Sequence, residues 1–476
     1  MSSLGGILSI ARGAMQAQQV AMQTTSHNIA NANVAGYSKE TVQLAASNPE
    51  NFAYGSVGTG VSIQGITRAR DTLLDSQYRT AAGTGSSYQT TADVLGRIES
   101  VMTEPSATGL SNSMDAFFNS FSDLANDPTS STAKAAVSAN GTALTTMFHS
   151  FTTQLDNIDA SSRAALTGGV STLNSLLDKV AMLNPAITAG DSNHRSANDL
   201  RDERDRALDQ ISQLTNSQVV EHGDGSVAVY VSGHLLVDRQ AVNHVSVGGG
   251  TSVSLTVAGD PAGVANVGGT IGGNVDAINV RIPTVRAGLD NLAGSIVTSV
   301  NAIHSSGVTF SGTPPVAAAG GNFFTQNGAP GSGDPAQTAR GIALDPSIAN
   351  LNNIVTASAS ATGPGNNGVA TALAGLRDSS VTIYDGSGAA VATTSLGDYY
   401  RQVVTNLGLA SSQATDLATA QKTLVNQADS QRESVSGVAT DEELVSLIKQ
   451  QQAYAAAARV ITAVDEMSKT LLAITT

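Results

Sequence analysis

The stretch LGGILSIARGAMQAQQVAMQTTSHNIANANVAGYS, residues 4–38, decides how the rest of the chain is read. Within it Leu4, Leu8, Ala11, Met15, Gln18, Met22, Thr25 and Ile29 recur at alternating steps of four and three, and all but Gln18 and Thr25 are apolar. That spacing puts them on one helix face as a heptad seam. Asn28, Asn31 and Asn33, followed by Gly36, read as the helix end leading into a loop. Asparagine is poor inside helices and good at caps and turns.

The opposite end of the chain repeats the pattern. Val460, Val464, Met467, Leu471 and Ile474 step by four and three, and Leu444, Leu447, Ile448 and Tyr454 extend the apolar face upstream after a register change. No Gly or Pro interrupts Asp441–Ile474, and Asp441, Glu442 and Glu443 occupy the first turn, where carboxylates favour the positive helix end. Two such helices, each too apolar on one face to stand alone, bury that face against each other, against the same helices of neighbouring copies, or both. Met15 and Met22 read as seam packing.

Further in, three more stripes keep the same steps: Leu74 to Met102, Val137 to Ile158, and Leu166 to Val180. A short helix over Ser113–Ala125 carries Phe117, Phe118, Phe121 and Leu124, and stops at Asn126-Asp127-Pro128. Residues 196–214 read as one more helix. Residues 37–68 alternate like strands, with a hairpin region over Val57–Ile66. From Val219 to about Gly273 the chain turns rich in Gly, Val, Ser and Thr, and Val227–Val231 and Ser252–Val257 read as strands. A helix returns at Val285–Ile303, a Gly/Pro/Ala-rich loop follows over 305–336, and strands reappear at Ile342–Leu344 and Val381–Tyr384. A helix from about Asp398 to Ser436 leads to the C-terminal seam. The expected fold is mainly α with an inserted β-rich domain, nested as an elongated rod. It has terminal coiled-coil helices, a long-helix bundle and both termini at the same end. The expected domains are 1–34 with 441–476 as the terminal coiled coil, 35–215 with 335–440 as the helical bundle with hairpins, and 216–334 as a β-rich outer domain with its returning helix.

Composition bounds the function. At 476 residues, 41% hydrophobic and 13% charged, this is a folded chain with a substantial core. A net charge of −14 argues against nucleic acid and anionic membrane partners. Cysteine is absent, which excludes disulfides, thiolate metal sites and a cysteine nucleophile. The first basic residue, Arg12, follows the first apolar stretch, the reverse of a cleaved secretory signal, and no apolar run is long enough for a membrane span.

The motif Ser26-His-Asn28-Ile-Ala-Asn31-Ala-Asn33-Val-Ala-Gly36-Tyr37-Ser38 resembles the N-terminal signature of the flagellar rod, hook and hook-associated axial protein family, with Val34 in place of the usual Thr. Its Tyr-Ser-Lys39 continuation resembles the hook-associated protein 1 branch, which usually has Arg at the Lys39 position. Gly437–Met467 resembles the family's C-terminal helix, with Gln450 where an aromatic residue is common. Phe117–Thr129 and Asn198–Ile211 resemble the same branch, whereas the likeness thins over 240–275 and 305–395. The resemblance implies a structural subunit at the junction of hook and filament. It implies export without a cleaved signal peptide through the flagellar type III channel, and polymerisation at the distal tip of an extracellular structure. The implied partners are further copies in a ring about the axis, hook protein, hook-associated protein 3 and a flagellar export chaperone. The terminal seams are then subunit interface, and the terminal helices order late, when neighbours supply the missing surface. The alternatives are a hook or distal rod protein, and a secreted adhesin using residues 219–395 on a flagellar frame.

Catalytic and cofactor signals are lacking, and neither an enzyme nor a cofactor is expected. His27, His149, His194, His222, His234, His244 and His304 contain no i, i+4 pair, although His222, His234 and His244 share the β-rich stretch. Neither a Gly-x-Ser-x-Gly elbow nor a phosphate loop occurs, and the run Gly268–Gly273 reads as a turn or flexible connector. The mixed-charge run Asp199–Arg206 reads as a solvated, salt-bridged helix face rather than paired acid–base carboxylates.

Overall fold

The computed structural model describes residues 2–52, 55–102, 106, 109–192, 197–311, 315–326 and 338–475. His194 and part of the 305–336 loop lie outside them. The elements run α1 (Ser2–Asn31), β1 (Glu40–Ala46), β2 (Glu50–Phe52), β3 (Gly55–Val57), β4 (Val61–Arg68), α2 (Thr72–Met102), α3 (Leu110–Asn126), α4 (Ser131–Ser192) and α5 (Asn198–Thr215). Seven short strands follow: β5 (Gln218–Glu221), β6 (Val227–Val231), β7 (His234–Asp238), β8 (Ala241–Val242), β9 (Val245–Gly248), β10 (Ser254–Val257) and β11 (Asp260–Val264). After them come α6 (Gly269–Asp276), a π turn (Ala277–Arg281), α7 (Ile282–His304), β12 (Val308–Ser311), β13 (Val316–Ala319), β14 (Phe324–Gln326), α8 (Thr338–Gly341) and β15 (Ile342–Leu344). The chain closes with α9 (Gly368–Gly375), β16 (Val381–Tyr384), β17 (Ala390–Thr394), α10 (Leu396–Ser436) and α11 (Thr440–Thr475).

The fold is mainly α with small antiparallel sheets inserted, as expected. The stripes Val137–Ile158 and Leu166–Val180 are core, but they belong to one 62-residue helix, α4, rather than two. Each half of α4 serves a different core. The first half packs with the end of α2, α3, α7, α9 and the start of α10 around Phe117, Phe118, Phe121, Phe323 and Phe324. Phe117 and Phe323 lie within a 5.6 Å centroid distance, and Phe323 and Phe324 within 4.9 Å edge to face. The second half packs with α5 and strands β6, β7, β9 and β10. Those strands form a four-stranded sheet, β5-β6-β7-β8, and a three-stranded one, β11-β10-β9.

Three expectations change here. The returning helix of the expected 216–334 domain does not stay with the strands. Ile282, Val285, Leu289, Leu292, Ile296 and Val300 of α7 enter the first core. The hairpin expected within Val57–Ile66 is not one unit. β4 pairs with β1, from Glu40↔Arg68 to Ala46↔Val61, while β3 pairs with β2 as a separate tip. The Gly268–Gly273 run is no flexible connector. It starts α6, where a Cβ on Gly269 would lie 2.2 Å from the Leu214 carbonyl carbon, one on Gly272 1.8 Å from the Val267 carbonyl oxygen and one on Gly273 2.7 Å from Thr90 Cβ. Only glycine lets α6 approach α2 and the end of α5 this closely.

The π turn sits where the two cores meet: Ala277 joins the first and Ile278 the second. Pro283, which has no N–H for the carbonyl four residues back, accounts for the extra residue in the turn, and Ile282 N–H donates to the Ala277 carbonyl. Asn279 on this turn donates to the Val253 carbonyl and accepts from the Val253 N–H, both at 2.8 Å, pinning the approach to β10.

Candidate assembly interface

Helices α1 and α11 pack on each other although 415 residues separate their bonded side chains. Gln450 Nε2 donates to Thr25 Oγ1 at 3.1 Å and Asn28 Nδ2 to Glu443 Oε2 at 3.0 Å, so the helices run antiparallel. Both chain ends therefore lie at the far end of the pair. Its interior is built from small and polar residues. Ala11, Ala17, Thr24, Thr25 and Asn28 are buried on α1, and Glu443, Ala457 and Val464 on α11.

The two seams read from sequence fare differently. On α1, Ala11 is buried and Leu4, Leu8, Met15, Met22 and Ile29 are half-buried. On α11, only Val464 turns inward. Val460 is 43%, Met467 54% and Leu471 48% exposed, and the side chain of Ile474 lies outside the described residues. Leu444, Val445 and Ile448 form a second exposed group on the first turns. The seam prediction counted apolar spacing alone. Small alanines and threonines allow close helix approach, and they took the shared face, leaving the large aliphatic side chains outward.

The N-terminal motif forms the base of the pair. Asn28 uses its whole amide. Its Oδ1 accepts from Tyr37 Oη at 2.8 Å and from the Glu40 N–H at 2.9 Å, and its Nδ2 donates to the Glu40 carbonyl and to Glu443. Asn28 thus caps the start of β1 from inside α1, not the helix end. Asn31 Nδ2 donates to the His27 carbonyl at 3.1 Å, and Asn33 is exposed in the turn. Gly36 has φ +75°, and a Cβ there would lie 2.6 Å from Arg206 Cγ, so glycine is required twice over. Burial, reinforced by the carboxylates of Glu40, Asp202, Asp199 and Glu443, pushes the Tyr37 phenol above its ordinary range and keeps it a donor. Lys39 Nζ meets Glu443 Oε1 at 2.8 Å, and Lys39 N–H donates to the Ser436 carbonyl.

Below this lies a buried ionic network. Asp202 accepts from Ser38 N–H, Ser38 Oγ and Arg68; Asp205 from Arg68 and Arg79; Asp75 from Arg70. Asp209 bridges Arg79 and Arg432, and the Arg432 guanidinium stacks 3.9 Å from the Tyr78 ring centroid. Burial alone would raise Asp205, but Arg70, Arg79 and Arg68 outweigh it and hold the carboxyl down at about 2. The run Asp199–Arg206 is therefore not a solvated face: Asp202, Arg204 and Asp205 are buried. Helical spacing makes Asp202, Asp205 and Asp209 a stripe, and three arginines at 68, 70 and 79 sit far away in sequence. That surplus of unpaired opposite charge was the signal available. Glu443, read as a helix-dipole residue, is 4% exposed and serves instead as the acceptor that ties α11 to α1 and Lys39.

The histidines do not converge. His222 faces Asp238, His234 faces Asp260 and His244 faces Asp178, each pair separate. Among the described residues no group of His, Asp or Glu is arranged to hold a metal, and no helix is long and apolar enough to cross a membrane. The arrangement clamps the helices together and presents apolar side chains outward.

The family model "Flagellar hook-associated protein FlgK helical domain" matches residues 95–324. The family models "Flagella basal body rod protein" and "Flagellar basal body rod FlgEFG protein C-terminal" match 8–37 and 430–474. Flagellar hook-associated protein 1 of Bacillus subtilis is 31% identical over 97% of this chain and 96% of its own length. Its Salmonella typhimurium namesake is 26% identical over 68% of this chain and 60% of its own. A solved structure of the flagellar hook junction protein FlgK from Burkholderia pseudomallei shares the fold, with a TM-score of 0.63 at 18% identity. It matches 76% of this chain and all of that one.

Proposed function

The chain belongs to the flagellar hook-associated protein 1 family, structural components of the flagellar axis at the hook–filament junction and not enzymes; from that premise we propose that it assembles there as a ring of copies through its terminal helix pair. The observation that carries the proposal is the inversion of α11: small residues face α1, and Val460, Met467 and Leu471 face out. Each is about half exposed, so covering the remainder contributes about 1 kcal/mol apiece. That gain is available only from other chains, so burial favours the polymer over the free subunit.

In this reading residues 1–34 and 441–476 form the axial layer and α2–α5 with α7–α10 the surrounding bundle. The strand-rich part, narrowed to β5–β11 since α7 packs in the bundle, faces outward. One side of the ring meets hook protein and the other hook-associated protein 3. The chain reaches the tip unfolded through the flagellar type III channel, attended by an export chaperone, and ends outside the cell. A chain without disulfides suits such threading. Bacteria lacking the gene are expected to make hooks, grow no filaments and release monomeric flagellin to the medium. Normal filaments in that strain refute the role.

A further inference from the structure

The seam between α1 and α11 gives the pair two unlike sides. Seam positions recur in sevens: Ala11 and Thr25 on α1, and Glu443, Gln450, Ala457 and Val464 on α11. On such a helix the residues three and four places after a seam position fall on opposite flanks. Between antiparallel helices the two i+3 flanks share one side of the pair, and the two i+4 flanks share the other.

The i+3 side is a trough. Ala14, Ala21 and Ala453 lie there half-buried, and Ile7, Val460 and Met467 are exposed toward the chain ends. The β1–β4 hairpin walls it: a Cβ on Gly60 would lie 3.3 Å from Ile10 Cα, and Ala17 and Thr24, at seven-residue steps from Ile10, are buried. The hairpin runs along α1 from Glu40, held by Asn28, to Val61, against Gly13, which sets Leu44 and Ile63 level with Ala457 in the middle of the pair. These cross-strand partners stay 44% and 39% exposed. The i+4 side is a ridge of large residues, Leu8, Met15 and Met22 on α1 with Leu447, Tyr454 and Ile461 on α11, each only half-buried.

Ridge and trough are made by neighbours in sequence: Ala14 precedes Met15, Ala21 precedes Met22, and Ala453 precedes Tyr454. The two surfaces therefore match in height to within one residue, about 1.5 Å, and both repeat every seven residues, about 10 Å. A second copy fits level with the first or shifted by whole heptads. We propose that the trough of one copy receives the ridge of the next, its large side chains seating over the alanines as knobs over holes. Val460, Met467, Leu44 and Ile63 lose water in the same contact. Two unlike sides make a heterologous contact, which propagates around an axis instead of closing as a two-fold pair. This rests on the assembly role above and adds which surfaces meet.

Benzoylphenylalanine, a photo-crosslinking aromatic, in place of Tyr454 reports what the ridge touches whatever the shift between copies. Bacteria carrying this chain as their sole copy are irradiated, their hook–filament structures isolated, and the linked peptides identified by mass spectrometry. The expected result is a dimer-sized band in which position 454 is joined to residues 14–21, 44, 63 or 453–460 of a second copy. The same probe in place of Gln16, on the exposed polar side of α1, is expected to give none of these links. Links from 454 to other surfaces, the same links from position 16, or monomer alone from structures that contain the probe chain overturn the contact while leaving the junction role intact. If the unsubstituted chain never enters those structures and filaments still grow, both readings fall.

Discussion

Replacing Asn28 by alanine should unfasten the terminal pair while leaving the bundle folded. The side chain is 1% exposed and makes four hydrogen bonds. Its loss strands two neutral donors, Tyr37 Oη and the Glu40 N–H, and removes a donor from the Glu443 carboxylate, which retains Lys39. Both contacts are only partly buried, so water recovers part of the loss and the two donors together cost about 1–3 kcal/mol. Asn28→Asp keeps the two accepting interactions but sets a carboxylate against Glu443, so it should not rescue. Hydrogen exchange on the full chain is the assay. Amides of α1 and α11 should lose protection by about one to two orders of magnitude, at roughly 1.4 kcal/mol per tenfold, while the aromatic core around Phe117 keeps its rate. Unchanged exchange in α1 and α11 refutes the reasoning, because the terminal pair would then hold without the clamp.

Other outcomes follow from single features. Asp205 has its carboxyl held at about 2, below the unfolded value, so its stabilisation is present above roughly pH 4 and fades as pH falls toward 2, by on the order of 2 kcal/mol. The stability gap between the parent chain and Asp205→Asn, measured by denaturant titration, should narrow over that window, and a constant gap contradicts it. His304 donates from Nδ1 to the Gly321 carbonyl and accepts at Nε2 from the Val355 N–H, and burial pushes its pKa down. The unfolded chain therefore takes up the proton first, and stability should fall as pH drops below about 6.5, an effect His304→Gln should weaken. Gly272→Ala should destabilise the chain, the clash of the new methyl with the Val267 carbonyl oxygen outweighing the roughly 1 kcal/mol of propensity gained; a raised melting temperature would count against the tight turn from Val267 into α6. Met467→Glu should leave the melting temperature within a degree or two yet abolish swimming, because the side chain is half exposed in the lone subunit and covered in the polymer.

Much of the helical fold was legible in the sequence because it depends on local periodicity. The stripes Val137–Ile158 and Leu166–Val180 are core residue for residue, since a 3.6-residue period has one inward face whatever it packs against. The strand Val381–Tyr384 and the helix ending at Ser436 fall where the sequence reading put them, and the structure adds Ser395 as the cap of α10, its side chain accepting from the Asp398 N–H. What stayed hidden was long-range. No local feature joins Asp202 to Arg68 or Glu443 to Asn28, so the charge run looked solvated and the acidic first turn looked generic. Which partner covers the α11 seam stayed open for a related reason. Apolar spacing identifies faces that avoid water, but not which of two faces is covered by the chain itself.

The pairing of Asn28 with Glu443 also dictates an order of events. Closing a loop of 415 residues in a structureless chain costs about 5 kcal/mol in entropy, more than the clamp's few bonds return. Once α2 and α10 lie side by side, the open segments shrink to the hairpin arm on one side and Gly437–Ala439 on the other, and the same closure becomes nearly free. The terminal helices are thus the last piece to fasten, and a lesion anywhere along α2 or α10 will be felt first at the two chain ends, tens of residues from where it was made.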